Sequence, residues 1–125
     1  MWTISDTDYG YKINFEGRLG APGLKDWIEA SKLRITKSNF VVLIDLSKAG
    51  VLLQEEGKLM AEGQKLYWDR GMERSAVILD SAITKLQFKR IAAESGIISK
   101  ERYFTTEENA QTMDWLLKEI DPDAK

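Results

Sequence analysis

The sequence predicts an α/β fold, with one mixed sheet of four or five strands and about four helices. Three observations carry that expectation. Phe40-Val41-Val42-Leu43-Ile44 and Ala76-Val77-Ile78-Leu79 are short apolar runs without polar alternation, as strands buried on both faces of a partly parallel sheet read. Longer stretches with helical spacing of apolar residues follow each run. Strands alternating with helices imply crossover connections and parallel pairing.

The elements follow in order. Trp2 to Ser5 is a short strand, Asp6-Thr7-Asp8-Tyr9-Gly10 carries the Asp and Gly of a turn, and Tyr11 to Phe15 alternates apolar with polar. Together they predict an antiparallel hairpin with one wetter face. Gly17 to Gly23 reads as a loop, with Pro22 suited to opening a helix, where its missing N–H costs nothing. Leu24, Trp27, Ile28 and Ser31 mark the core face of that helix through Arg34. The central strand is expected to end at Ile44, where Asp45-Leu46-Ser47 breaks the apolar run.

A second helix is predicted from Gln54 to Arg70, with Leu59, Gly63, Leu66 and Tyr67 towards one face. Gly63 within it costs about 1 kcal/mol relative to Ala, and a close approach to the sheet is the expected reason for it. Gly71 then reads as a C-cap. After Ala76 to Leu79 comes a third helix, Ser81 to Ser95, ended by Gly96. Arg102-Tyr103-Phe104 is a last short strand. Thr105-Thr106-Glu107-Glu108 has the form of a capping box and is expected to start a final helix through Ala110, Met113, Leu117 and Ile120. The organisation expected is one domain over residues 1–120 and a flexible tail over 121–125.

Composition limits the function. The 125 residues suit one core; 43% of them are apolar and 30% charged, a globular composition. No window approaches the ~20 apolar residues of a membrane span, and Met1 to Asp6 does not resemble a secretory signal. With no cysteine and no such signal, a cytoplasmic setting is expected. A net charge of −2 gives no electrostatic footprint for nucleic acid. The absence of both His and Cys removes zinc sites of the usual N/S type, Cys–His nucleophiles and Ser-His-Asp triads. Glycine-rich phosphate cradles are also missing. No pairing among the 20 acidic residues stands out by spacing. A non-enzymatic protein without cofactor or metal is the expectation.

A hairpin, a helix, an apolar strand ending Ile44-Asp45-Leu46-Ser47 and a long helix resemble the STAS domain of anti-sigma-factor antagonists and sulfate-transporter tails. Arg70-Gly71-Met72-Glu73-Arg74-Ser75-Ala76-Val77, then Arg102-Tyr103-Phe104 and Asp114-Trp115-Leu116, are similar to a STAS-like branch of small bacterial proteins of unassigned function. The resemblance spans nearly the whole chain and implies a regulatory or interaction module. It also carries a departure. The antagonists are phosphorylated on a serine, preceded by Asp, at the start of the helix after this strand. Here Leu53 stands at the Asp and Gln54 at the serine, so the resemblance implies a domain without that phosphoswitch. STAS-like folds of this branch also resemble the lipid-transfer CRAL-TRIO domains, which implies an alternative: a carrier or sensor of a small apolar ligand walled by Val51, Leu52 and Leu53.

The candidate partner- or ligand-binding residues are Asp45, Ser47, Val51, Leu52, Leu53 and Gln54, because ligands gather at the carboxyl ends of strands in such sheets. Asp45 either orients a ligand or caps its own turn, and the cap is the expected role. Ser47 is expected to hydrogen-bond locally. Glu55 and Glu56 suit the positive end of the helix dipole. On the third helix, at about 100° per residue, Ser81, Thr84, Phe88, Ile91, Ala92 and Ser95 form a core face. Ala82, Ile83, Leu86 and Ala93 then point elsewhere, flanked by Lys85, Lys89 and Arg90. Apolar residues ringed by cations suit an anionic membrane surface or an acidic protein partner, unless neighbouring helices cover Ile83 and Leu86. A second copy of the chain is a further candidate partner.

Overall fold

In the computed structural model, which describes residues 1–124, five strands lie side by side in chain order. β1 (Trp2–Asp6) and β2 (Gly10–Gly17) form the antiparallel hairpin. β3 (Phe40–Ala49), β4 (Met72–Ile78) and β5 (Glu101–Phe104) continue the sheet in parallel from β2. The helices α1 (Ala21–Arg34), α2 (Gln54–Asp69), α3 (Ala82–Ser95) and α4 (Asn109–Lys118) occupy the connections and the end, and a 3₁₀ turn, Ile98–Lys100, precedes β5.

Side-chain alternation divides the core between the two faces of the sheet. Ile13, Phe15, Val42, Ile44, Leu46 and Val77 meet α1, α2 and α3, with Leu24, Trp27, Met60, Phe88 and Ile91 among the helix residues packed on them. On the opposite face Val41, Ala76 and Phe104 receive Trp115 and Leu116 of α4. The stretches Phe40–Ile44 of β3 and Ala76–Ile78 of β4 are therefore apolar without alternation, as two-sided burial requires. The core face expected for α3 is realised, with Thr84, Phe88, Ile91 and Ala92 buried. Ser81 Oγ accepts from the Thr84 N–H at 3.3 Å, and Gly96 ends the helix at φ +85°.

Several expectations are corrected. β3 does not stop at Ile44: Asn14 pairs with Asp45, Glu16 with Lys48 and Gly17 with Ala49, across a bulge. Leu46 returns to the core while Asp45 occupies the other face, so alternation resumes where the apolar run ends. Ser47 consequently belongs to the strand and not to a loop. α1 begins at Ala21, inside the expected loop, with Pro22 in its first turn. Gly63 approaches not the sheet but α1: a Cβ there would stand 2.1 Å from Trp27 Cζ3. The face of α2 that is buried consists of Glu56, Met60, Gly63, Gln64 and Tyr67, while Leu59 and Leu66 are half-buried. Finally, α4 starts at Asn109, four residues after Thr105. Only half of the capping box forms, with Glu108 Oε1 accepting from the Thr105 N–H at 2.9 Å.

Candidate functional site

The β3–α2 connection is pinned to α3 by one side chain. Gln87 Oε1 accepts from the Leu52 N–H at 3.0 Å, and Gln87 Nε2 donates to the Leu52 carbonyl. The amide thus satisfies both backbone groups of a residue that lies outside any ladder. Leu52 is buried by this anchoring, which leaves Val51 and Leu53 on the surface, 53% and 54% exposed. α2 then starts at Gln54. Glu56 is buried near the helix start: Oε1 accepts from the Leu53 N–H at 2.9 Å and Oε2 pairs with Arg18 at 2.9 Å. This matches the role expected of a first-turn acid.

Between the first turns of α2 and the outer side of α3 runs a groove of about 390 Å³, walled by Leu53, Gln54 and Lys58 from one helix and by Gln87, Arg90 and Glu94 from the other. Ile83 precedes Gln87, and Leu86 precedes Arg90, by one helical turn, so both neighbour the groove's α3 wall. No neighbouring helix covers them: Ile83 is 72% and Leu86 65% exposed. Ala82, Ala93, Lys85, Lys89 and Arg90 are exposed as well. Lys89 leans towards β5, its Nζ 5.8 Å above the Tyr103 ring. The structure therefore joins two groups that are separate in the sequence. Leu53 and Gln54 stand on one wall and Arg90 on the other, with Ile83 and Leu86 one turn from the α3 wall and Lys85 and Lys89 on the far side of that helix.

Asp45 and Ser47 do not belong to this surface. Asp45 projects from the face of β3 opposite α2, and its Oδ1 accepts from the Ser47 N–H at 2.9 Å and from Ser47 Oγ at 2.7 Å. A bulge leaves an unpaired backbone N–H, and here the carboxylate takes one at the bulge between Asp45 and Lys48. Both residues line a recess of about 140 Å³ with Asn14, Glu16 and Lys48. Gln87, Lys58 and Glu94 are groove residues that sequence reasoning did not single out. The one available signal was Gln87, a polar residue at the margin of the α3 core face. Among the described residues no group of three or more acidic side chains is placed to hold a metal ion. Among the described residues no helix is long and apolar enough to cross a membrane.

The strand order, the hairpin start and the α2–α3 layer place the chain among known architectures. An uncharacterized protein of the DUF3478 family with a SpoIIAA-like fold, from Shewanella loihica PV-4, superposes with a TM-score of 0.60 over 93% of this chain and 92% of its own, at 16% identity. The fold is SpoIIAA-like. This is the STAS-like architecture that the strand and helix order resembles in the sequence. No protein-family model matches the sequence, and no curated protein does. α2 begins at Gln54, the residue that the sequence resemblance sets against the antagonists' serine.

Proposed function

We propose that this chain is a non-enzymatic interaction module that docks peripherally, through its α2–α3 face, on an anionic lipid surface. The observation that carries the reading is the exposure of Val51, Leu53, Ile83 and Leu86, with the cations Lys58 and Arg90 on the groove walls and Lys85 and Lys89 elsewhere on the exposed part of α3. Large apolar side chains left in water beside cations have the chemistry of an interfacial anchor, in which apolar contact and attraction to acidic headgroups act together. Gln54 offers no hydroxyl, so control by phosphorylation at the start of α2 is not part of the reading. The carrier alternative finds no observation in its favour. Val51 and Leu53 face outwards, and the enclosed core cavity measures about 10 Å³, room for about one water.

Co-sedimentation with vesicles rich in phosphatidylserine tests the proposal. Wild type is expected to bind at low salt and to be released as salt rises, because exposed charges are screened beyond a Debye length of about 8 Å at physiological ionic strength. Changing Lys85 and Lys89 to Glu is expected to weaken binding more than tenfold, at about 1 kcal/mol per basic residue near the surface. Wild type that stays in the supernatant overturns the membrane reading. Capture of an acidic protein by the same face, lost in the same variant, reassigns it to a protein partner.

A further inference from the structure

The sheet ends in two edges that differ. β5 is four residues long and carries Arg102, whose Nε and Nη2 bond Asp121 at 2.8 Å each; a short, charged edge resists further pairing. β1, at the other edge, has no such guard. It holds no Lys, Arg or Pro, its ladder with β2 has no bulge, and its one charge, Asp6, stands at its end.

The ladder fixes which backbone groups of β1 face outward. Met1 and Glu16 exchange both bonds, Met1 N donating to the Glu16 carbonyl at 2.9 Å and the Glu16 N–H to the Met1 carbonyl at 2.8 Å. Beyond the other end, the Thr7 N–H donates to the Gly10 carbonyl at 3.0 Å. The register between runs unbroken from Trp2 opposite Phe15 to Asp6 opposite Tyr11. Bonded and non-bonded pairs alternate in an antiparallel ladder, so Thr3 and Ser5 bond to β2. Trp2, Ile4 and Asp6 turn their N–H and C=O groups away from it. Among the described residues no turn, loop or cap takes those groups up.

We propose that β1 pairs antiparallel with β1 of a second copy of this chain, about a two-fold axis at Ile4, and so joins two five-stranded sheets into one. Bonds form only where outward groups meet outward groups, so the axis must pass through Trp2, Ile4 or Asp6. An axis at Asp6 sets two carboxylates opposite each other, which is destabilising. An axis at Trp2 leaves Ile4 and Asp6 without partners. At Ile4, Trp2 meets the partner's Asp6 and Ile4 meets the partner's Ile4, so every outward N–H finds an outward C=O.

The side chains agree with this register. Residues directly opposite share a face of the sheet. Ile4, part of the core, meets its own copy. On the other face exposed Thr3 meets the partner's exposed Ser5, a hydroxyl pair of the kind that supports neighbouring strands. No like charges are opposed. Complementarity of a patch with itself is what a two-fold interface needs, and it favours a second copy over an unrelated strand. The pairing uses no residue of the α2–α3 face, so it stands or falls apart from lipid binding.

Sedimentation velocity of the intact chain over a range of concentrations, joined to hydrogen exchange, tests the proposal. Wild type is expected to reach twice the chain mass as concentration rises. The Ile4 and Asp6 amides should gain protection in step, while those of Thr3 and Ser5 are protected in the monomer already. Thr3→Glu with Ser5→Glu sets like charges opposite each other twice across the axis, although a carboxylate facing Lys12 of β2 suits the monomer. It is expected to weaken the dimer about tenfold or more. Thr3→Lys with Ser5→Glu sets opposite charges in the same places and is expected to restore it. A wild type that stays monomeric throughout, leaving the edge to a strand of another protein, overturns the inference. So does an Ile4 amide that exchanges equally fast in monomer and dimer, or a pair of variants that dimerise equally well.

Discussion

The ring of Trp27 occupies the space where a side chain at Gly63 would begin. Cζ3 and Cη2 stand 2.1 and 2.3 Å from an ideal Cβ at that position. The indole cannot retreat, since Phe15 meets it edge-on at 5.2 Å and Tyr67 stacks on it at 5.7 Å. Gly63→Ala gains about 1 kcal/mol of helix propensity but overpacks the α1–α2 contact at a cost of about 3 kcal/mol. The expected outcome is a net loss of about 2 kcal/mol, read from the urea midpoint at constant slope. An alanine variant as stable as wild type would show that α1 moves freely on α2.

Glu101 makes stability depend on pH in a direction opposite to that of a paired surface carboxylate. Its folded-state value, about 7, lies above its ordinary value of 4.5, so between these two the native state holds the proton that the unfolded chain releases. Stability is therefore full below about pH 4.5, falls as pH rises, and levels off above about 7. The loss is of order 3 kcal/mol for a group this buried. Glu101→Gln removes this slope, and the Ser75 or Tyr103 hydroxyl that bonds the carboxyl can turn to accept from the new NH₂. Denaturant midpoints measured from pH 5 to 8 check it: wild type falls across the range and the glutamine variant lacks this component.

What the sequence makes legible, and what it hides, divides along physical lines. Apolar runs and helical spacing depend on local pattern, and they place every strand and helix. The length of β3 was hidden because Asp45 interrupts an apolar run without interrupting the ladder; its partner Asn14 and the bulge are properties of the neighbouring strand. Glu101 reads as an ordinary charged residue before Arg102. Only the parallel register that sets it against Ser75 turns it into a buried acid. The groove was half legible. Both of its walls carry residues singled out from the sequence, but their union rests on Gln87 reaching Leu52 across 35 positions.

Arg74 fastens α4 to the sheet. Its Nε donates to the Trp115 carbonyl at 3.2 Å and Nη2 to the Leu116 carbonyl at 2.8 Å, two acceptors near the negative end of the helix dipole. Arg74→Met keeps much of the side-chain length and removes the charged fork. A loss of about 2 kcal/mol is expected from the charge-assisted bonds, with hydrogen exchange quickening in α4 before the α1–α3 layer. Uniform quickening across both layers would show that α4 unfolds with the whole domain.

Phosphorylation by a serine kinase of the antagonist class is expected to leave the start of α2 unmodified, since Gln54 has no hydroxyl. Ser47 is a poor substitute. It lies within β3, half-buried, and its hydroxyl donates to Asp45 at 2.7 Å, where a phosphate would face a carboxylate and lose that bond. Phosphosite mapping after incubation with such a kinase checks this, and a stoichiometric phosphate on Ser47 would restore a switch to the domain.

The apolar part of the α3 surface separates from the basic part by its salt dependence. Ile83 and Leu86 lie mostly in water, so Ile83→Ser with Leu86→Ser should shift folding stability by no more than about 0.5 kcal/mol per site, as surface substitutions do. On an anionic bilayer the same side chains would leave water. Fully burying one such side chain is worth about 1.5–3 kcal/mol, so the double variant is expected to partition at least a hundredfold more weakly onto phosphatidylserine vesicles. The slope of binding against salt should stay that of wild type, because no charge has changed, whereas Lys85→Glu with Lys89→Glu flattens it. If the serine variant binds as tightly as wild type, contact is purely electrostatic and the exposed isoleucine and leucine do not enter the bilayer.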